Sequence, residues 1–206
     1  MILFENVAYL VDDARRLEAF QLLRKHIGLK PADILKASPS DFEKIDVGGI
    51  NKPGQIEKMI FSARLVIDEY GSNLDSILDL DEKAARKALQ RFPAIGEPAA
   101  EKILLHNRKL VTLALDSNAL RIMTRLGYGE ESKNYAAMYK SVKTSIGPEL
   151  IKDYDWLMKA SNLIRRHAKE VCRTTPRCEK CALLGICSFG RENRGLIPAR
   201  RGKKKD

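Results

Sequence analysis

Residues 172–187 read CRTTPRCEKCALLGIC, and this one window holds all 4 cysteines of the 206-residue chain. The order is Cys172, five residues, Cys178, two residues, Cys181, five residues, Cys187. Four thiols gathered in one loop after a helical stretch read as a ligand set, with four unligated thiols as the remaining alternative. The N-terminal MILFENVAYLVDDARR has no basic start and no small-residue cleavage site. It therefore reads as lacking an export signal, which makes the cytoplasm the expected compartment. Disulfides are disfavoured there. Four thiolates in a compact loop suit a 4Fe-4S cubane or a tetrahedral zinc ion. Structural zinc usually shows two close pairs, and here only Cys178 and Cys181 are close. Single cysteines on either side favour the iron–sulfur cluster, with zinc as the alternative.

Working outward from the loop, charge is the next signal. The net charge is +10. Residues 151–206 hold 15 Lys and Arg against 6 Asp and Glu, so about a quarter of the chain carries nine of the ten excess charges. Arg200, Arg201, Lys203, Lys204 and Lys205 read as a solvated basic tail over 198–206. Arg165, Arg166, Lys169, Arg173, Arg177 and Lys180 instead lie in an ordered-looking stretch. A focused positive surface attracts a polyanion and releases its counterions, so nucleic acid is the expected partner. Acidic proteins or simple solubility are the competing explanations. With 44% apolar residues and no apolar run near the roughly 20 a membrane span needs, a membrane role is not expected.

The remaining pattern predicts an all-α protein. Asp12 or Asp13 caps a helix running to His26. Ser38-Pro39 opens a short one. Pro53-Gly54 precedes a long amphipathic helix ending at Tyr70-Gly71. Asp81 caps the next, through Phe92, and further helices run from Gly96 to Asn107, Asp116 to Leu126, Asn134 to Ile146 and Glu149 to Val171. Only Leu110–Leu115 looks strand-like, and a short apolar run is ambiguous. Trp156, at helical spacing with Ile164, reads as core, although it, Tyr139 or Tyr154 could stack on a base.

Two further stretches can carry chemistry. Phe92-Pro93-Ala94-Ile95-Gly96 joins two helices through a tight apolar turn, a helical hairpin over about 86–107. Backbone N–H groups at the start of its second helix can bind a phosphate. A plain helix connection looks the same. Twenty residues beyond Gly96 stands Asp116, in Leu115-Asp116-Ser117-Asn118-Ala119-Leu120-Arg121. It suits a helix N-cap, and equally a carboxylate that stabilises a developing cation or activates water.

Taken in order, these pieces resemble the endonuclease III (HhH-GPD) superfamily of DNA glycosylases. That family has a Leu-Pro-Gly-Val-Gly-like hairpin, an aspartate about twenty residues on, and four cysteines with nearly this spacing. Ile45–Lys52 looks like the family's duplex-wedging loop, with Ile50 as candidate wedge beside Asn51 and Lys52. The resemblance spans nearly the whole chain. It implies a two-lobed helix-hairpin-helix glycosylase fold, with lobes at 1–110 and 111–206 and a DNA cleft between them. It also implies a 4Fe-4S cluster on Cys172, Cys178, Cys181 and Cys187, and Asp116 as the catalytic carboxylate. A monomer would bind double-stranded DNA, extrude a damaged or mismatched nucleotide and cut its glycosidic bond. Pro93, Ala94, Ile95, Gly96, Lys102, Arg173, Arg177 and Lys180 would join the wedge loop in binding DNA. In a prokaryote such a protein would be associated with the nucleoid.

The departures from the family set further expectations. Bifunctional members carry a lysine nucleophile two residues after the hairpin's last glycine, where this chain has Pro98, so the lyase step is expected to be weak or absent. Lys102, one turn on, is the alternative nucleophile. The first cysteine spacing is five residues rather than six. Ala94 replaces the hairpin's first glycine. The family's leading helix is expected to be absent. Glu5 lies near, but not in register with, the helical glutamate acid of the adenine-removing branch. Asp12 and Asp13 stand where wedge residues are usual and read as helix caps. A monofunctional glycosylase is the leading expectation, and a DNA-damage-binding module without chemistry is the second.

Overall fold

The computed structural model describes residues 1–49 and 51–195. The chain divides into two compact units, Met1–Leu110 and Val111–Asp206. Among the described residues every regular element is helical, and none of the helices is long and apolar enough to cross a membrane. The basic tail 198–206 and Ile50 lie outside the described residues.

The first unit carries α1 (Ile2–Asn6), α2 (Asp13–His26), α3 (Pro31–Lys36), α4 (Pro39–Glu43), α5 (Lys52–Tyr70), α6 (Asp75–Leu78), α7 (Glu82–Gln90) and α8 (Glu97–His106). Side-chain caps start most of the longer ones. The Asp12 carboxylate accepts from Arg15 N at 2.9 Å, Asp81 from Ala84 N at 3.0 Å, and Asn51 from Gly54 N at 3.3 Å. Each cap satisfies one of the N–H groups that a helix start leaves unpaired. The α5 helix begins ahead of Pro53, not after it, because a proline in the first turn gives up an N–H that has no helical partner there.

Two apolar clusters hold this unit. Ala19 and Leu23 of α2, Ile34 of α3, Phe42 of α4 and Met59 and Ala63 of α5 pack in one. Ile77, Leu89, Phe92, Ile95, Ala100 and Leu104 pack in the other, so the hairpin of α7 and α8 closes on its own core. An ion cluster around one buried carboxylate reinforces that hairpin. Arg86 of α7 meets Glu82 at 2.6 Å, Glu97 at 3.6 Å and Glu101 at 3.0 Å. Glu101 lies in the interior at 1% exposure, where an ionised carboxylate is tolerated only when paired.

The second unit carries α9 (Ser117–Leu126), α10 (Tyr135–Ile146), α11 (Tyr154–Glu170) and α12 (Ser188–Asn193). Leu113, Leu115, Leu120, Ile122, Met123, Val142, Ile146 and Leu157 are buried in it. The apolar run up to Leu115 forms no strand. Its backbone bonds to side chains instead: Ala114 N donates to Ser161 Oγ at 3.0 Å, and Lys143 Nζ donates to the Leu113 carbonyl at 3.1 Å.

Two expectations need correction here. The α11 helix starts at Tyr154, because Pro148 sits in a short 3-10 turn over Gly147–Glu149 and Asp153 supplies the cap to Trp156 N at 3.0 Å. Trp156 is not core, being 45% exposed. The buried stripe of α11 runs through Leu157, Ser161 and Ala168, and a neighbouring position on a helix points about 100° away.

Replacing Arg86 with methionine removes the guanidinium from buried Glu101 and is expected to lower stability by about 3 kcal/mol. The double variant Arg86→Met/Glu101→Leu should recover most of that loss. Thermal melts of the two proteins check this, and equal melting of Arg86→Met and the parent would refute it.

Candidate functional site

The sulfur-bearing loop is built around α9. Arg121 donates from Nε and from Nη2 to the Cys172 carbonyl at 3.2 Å each, and from Nη2 to Ala168 O at 3.3 Å. One turn later Arg125 donates to Arg173 O at 2.7 Å and to Thr174 O at 3.1 Å. The Arg125 guanidinium also reaches Cys172 Sγ at 3.3 Å and stacks over the Phe189 ring at 4.4 Å. Two arginines spaced i, i+4 on one helix face thus bind the C-terminal carbonyls of α11 and the first turn of the loop.

The four cysteines line one small cavity with Val171, Pro176, Arg177, Leu184, Phe189 and Gly190. Their sulfurs draw on separate donors. Gly190 N donates to Cys187 Sγ at 3.3 Å, Asn193 Nδ2 to Cys178 Sγ at 3.7 Å, and His167 Nε2 lies 3.4 Å from Cys181 Sγ. Burial pushes the Cys181 thiol up, and the other three cysteines add to that shift. Among the described residues no three His, Cys, Asp or Glu side chains close on a point where a single ion could be held. A Cβ on Gly190 would stand 3.1 Å from Leu184 Cδ1, 3.5 Å from Cys187 Sγ and 3.7 Å from Cys178 Sγ, so the missing side chain keeps the cradle open.

Asp116 is the N-cap of α9, and its Oδ1 accepts from Ala119 N at 2.8 Å. Its Oδ2 accepts from Arg165 Nε of α11 at 2.9 Å. Side-chain exposure is 36% for Asp116 and 34% for Arg165, so the carboxylate is fixed by two donors yet reachable from solvent. Asn118, two residues on, accepts from Arg121 Nη2 at 3.2 Å. The same helix therefore presents the carboxylate at its N-cap and holds the cysteine loop further along. Arg173, Arg177 and Lys180 are all exposed on that loop.

In the first unit, the hairpin turn departs from regular backbone at Ala94, whose φ is 63°. That left-handed region suits glycine, and a Cβ there costs about 1 kcal/mol. Ile95 is buried beneath the turn, while Ala94 and Gly96 are exposed and Pro93 is half-buried. Gly96 is the N-cap of α8, with Glu97 and Pro98 in its first turn. Asn6, fully buried, donates to the Pro93 carbonyl at 2.9 Å and to Ile2 O at 3.0 Å. In the wedge-like loop, Asn51 caps α5 from a left-handed conformation at φ 59°, and Lys52 pairs with Asp46 at 3.0 Å. Gly49, at φ 116°, lies so near Tyr9 that a Cβ would stand 2.7 Å from its carbonyl oxygen. Lys102 pairs with Glu5 at 3.4 Å, and Glu5 also takes Arg16 at 3.2 Å.

Sequence reasoning missed Arg165 as a partner of Asp116, Asn6 as the anchor of the turn, and Arg121 and Arg125 as the arginines that hold the loop. The i, i+4 spacing of the last two was the only available signal. The partners of Arg165 and Asn6 stand 49 and 87 residues away.

A helix-hairpin-helix protein with a C-terminal cysteine loop is the class these features define, and comparison with known proteins agrees. The chain matches no protein-family model. It is 24% identical to endonuclease III of Sulfolobus acidocaldarius over 88% of this chain and 77% of that protein. It is 27% identical to endonuclease III of Bacillus subtilis over 82% and 72%. Against the thymine/uracil-DNA glycosylase of Methanothermobacter thermautotrophicus it is 26% identical over 76% and 66%. In structure it matches a non-covalent endonuclease III–DNA complex with TM-score 0.70 at 16% identity, over 94% of this chain and 85% of that one. A thermostable thymine-DNA glycosylase matches with TM-score 0.69 at 18% identity, over 93% and 83%. The chain is similar to endonuclease III over most of its length and has the helix-hairpin-helix glycosylase fold.

An Ala94→Gly substitution relieves the left-handed strain of the turn. The gain offsets glycine's greater unfolded-state entropy, leaving an expected net stabilisation of about 0.5 kcal/mol. A small upward shift in the melting temperature checks it, and a downward shift would mean that the turn tolerates the alanine Cβ without strain.

Proposed function

We propose that the chain is a monofunctional DNA glycosylase of base-excision repair, acting as a monomer on double-stranded DNA that contains a damaged or mismatched base. The observation that carries this reading is the Asp116 carboxylate, oriented by the Ala119 N–H at the start of α9 while a third of its side chain stays exposed. A carboxylate in that setting can stabilise an oxocarbenium-like sugar or orient water. In the reaction the bond from C1′ to the base nitrogen breaks, and its electron pair leaves with the base. The oxygen of water bonds to C1′, and the water proton ends on the departing base. The similarity to endonuclease III and to a thymine/uracil-DNA glycosylase supports the assignment.

Two observations favour hydrolysis over a lyase step. Pro98 has no amine and sits in the first turn of α8. Lys102 is held against Glu5, and an ammonium in an ion pair is a poor nucleophile until it loses that proton. DNA contacts are assigned to the hairpin turn Pro93–Gly96, to Ile50, Asn51 and Lys52, to Lys102, and to Arg173, Arg177 and Lys180 of the cysteine loop.

Cys172, Cys178, Cys181 and Cys187 are assigned as ligands of a 4Fe-4S cluster. The residues present fit it. Four thiols line one cavity, and Gly190 leaves room beside two of the sulfurs. When bound, the cluster would cross-link the loop and hold Arg173, Arg177 and Lys180 toward a phosphate backbone. Metal analysis of the purified protein should find about four irons per chain with matching sulfide. One zinc per chain would overturn the cluster assignment.

A cleavage screen tests the activity. Labelled duplexes carrying uracil or thymine opposite guanine, oxidised pyrimidines or alkylated purines are incubated with the protein and developed with or without alkali. Strand breaks only after alkali are expected, with an Asp116→Asn rate lower by at least about a hundredfold. Breaks without alkali would mean that an amine such as Lys102 attacks the sugar. Tight binding without product on any lesion would make the protein a non-catalytic reader of damaged DNA.

A further inference from the structure

The pairing of Asp116 with Arg165 is at odds with a carboxylate that works by its charge. A guanidinium 2.9 Å from Oδ2 cancels much of the field that the carboxylate could exert on a developing cation. The pair is also part-exposed, and ion pairs so placed add little stability. It is therefore easily opened by a better anion. A phosphodiester is such an anion, because its bonds to arginine are charge-assisted and often bidentate.

Position points the same way. Arg165 and Lys169 stand one turn apart on α11, and Arg173, just past its end, donates from Nε to Lys169 O at 3.2 Å. Lys169 and Arg173 are exposed, so a basic track runs along α11 from the cysteine loop to the carboxylate. Arg166, beside it, pairs with Glu170 at 2.8 Å. In a nucleotide the phosphorus is only a few bonds from C1′. A strand that brings its sugar to Asp116 therefore brings a phosphate within reach of Arg165.

We propose that Arg165 is a phosphate-binding residue that masks Asp116 in the free protein and exchanges it for a backbone phosphate when the strand is seated. This rests on the reading of Asp116 as the catalytic carboxylate. The exchange links correct placement of the strand to release of Oδ2 toward the sugar, and keeps the carboxylate neutralised otherwise.

The test measures binding of the full-length protein to two duplexes, so the excised base need not be known. One carries a cationic pyrrolidine in place of the sugar, and the other a neutral tetrahydrofuran. The parent should prefer the cationic duplex, and Asp116→Asn should abolish that preference. If no such preference exists, the reading of Asp116 fails on its own account.

Arg165→Met should weaken binding to both duplexes about 3- to 10-fold and reduce the slope of log affinity against log salt by about 0.9, the loss of one phosphate contact. Its preference for the cationic duplex should be kept or increased, because Asp116 is unmasked. Arg165→Lys, which can still neutralise a phosphate, should retain the parental slope and guards against a folding defect. An unchanged slope in Arg165→Met would overturn the phosphate contact. Loss of the cationic preference in that variant would make Arg165 a positioning residue for Asp116, and would overturn the masking.

Discussion

The backbone carbonyls at the end of α11 and the start of the cysteine loop have no helical partners of their own, and each buried or half-buried one needs a donor. Arg121 and Arg125 of α9 supply those donors, five bonds from two side chains to the carbonyls of Ala168, Cys172, Arg173 and Thr174. Much of the second unit follows from that constraint. It sets where the first cysteine enters the loop and brings a positive charge against Cys172 Sγ. Because α9 is rigid over ten residues, it also sets where Asp116 projects from the opposite end. The carboxylate and the cysteine loop are positioned by one helix, so a change that loosens the arginines would be felt at both.

The hairpin of the first unit solves a different problem. Its turn needs a left-handed residue, and the chain has alanine there. That strain is held by stronger features on either side. Ile95 and Phe92 are buried in the core beneath the turn, Asn6 binds the Pro93 carbonyl, and Arg86 joins α7 to α8 through the two carboxylates of Glu97 and Glu101. Most of the hairpin's rigidity lies in its supports, leaving the exposed tip free to vary. The same arrangement accounts for Pro98, since a first helical turn accepts proline where it would also accept lysine, and the fold is indifferent to which it has.

Helix caps were legible because capping is local. Asp12, Ser38, Asp81, Asp116 and Asn134 each bond to a backbone group three residues on, a distance that sequence alone specifies. The cysteine cavity was legible because four unusual residues fall within one short loop. Trp156 was misread because the whole of α11 is amphipathic and a one-position error in phase turns a core residue outward. The start of α11 was misplaced because Pro148 and Asp153 both offer plausible helix beginnings, and only the 3-10 turn between them separates the two.

The amino-acid sequence by itself determined an all-helical protein, the ends of most of its longer helices, the gathering of its thiols and the site of its positive charge. Each depends on neighbours within a few positions or on composition. Only the tertiary structure decided what Asp116 touches, which buried groups hold the hairpin and which arginines anchor the loop. Arg165 stands 49 residues from Asp116, and Asn6 stands 87 from Pro93. No local rule joins such pairs. They meet because burying the apolar faces of the helices brings these polar groups together, and Asn6, shut away from water, must take the partner it is given.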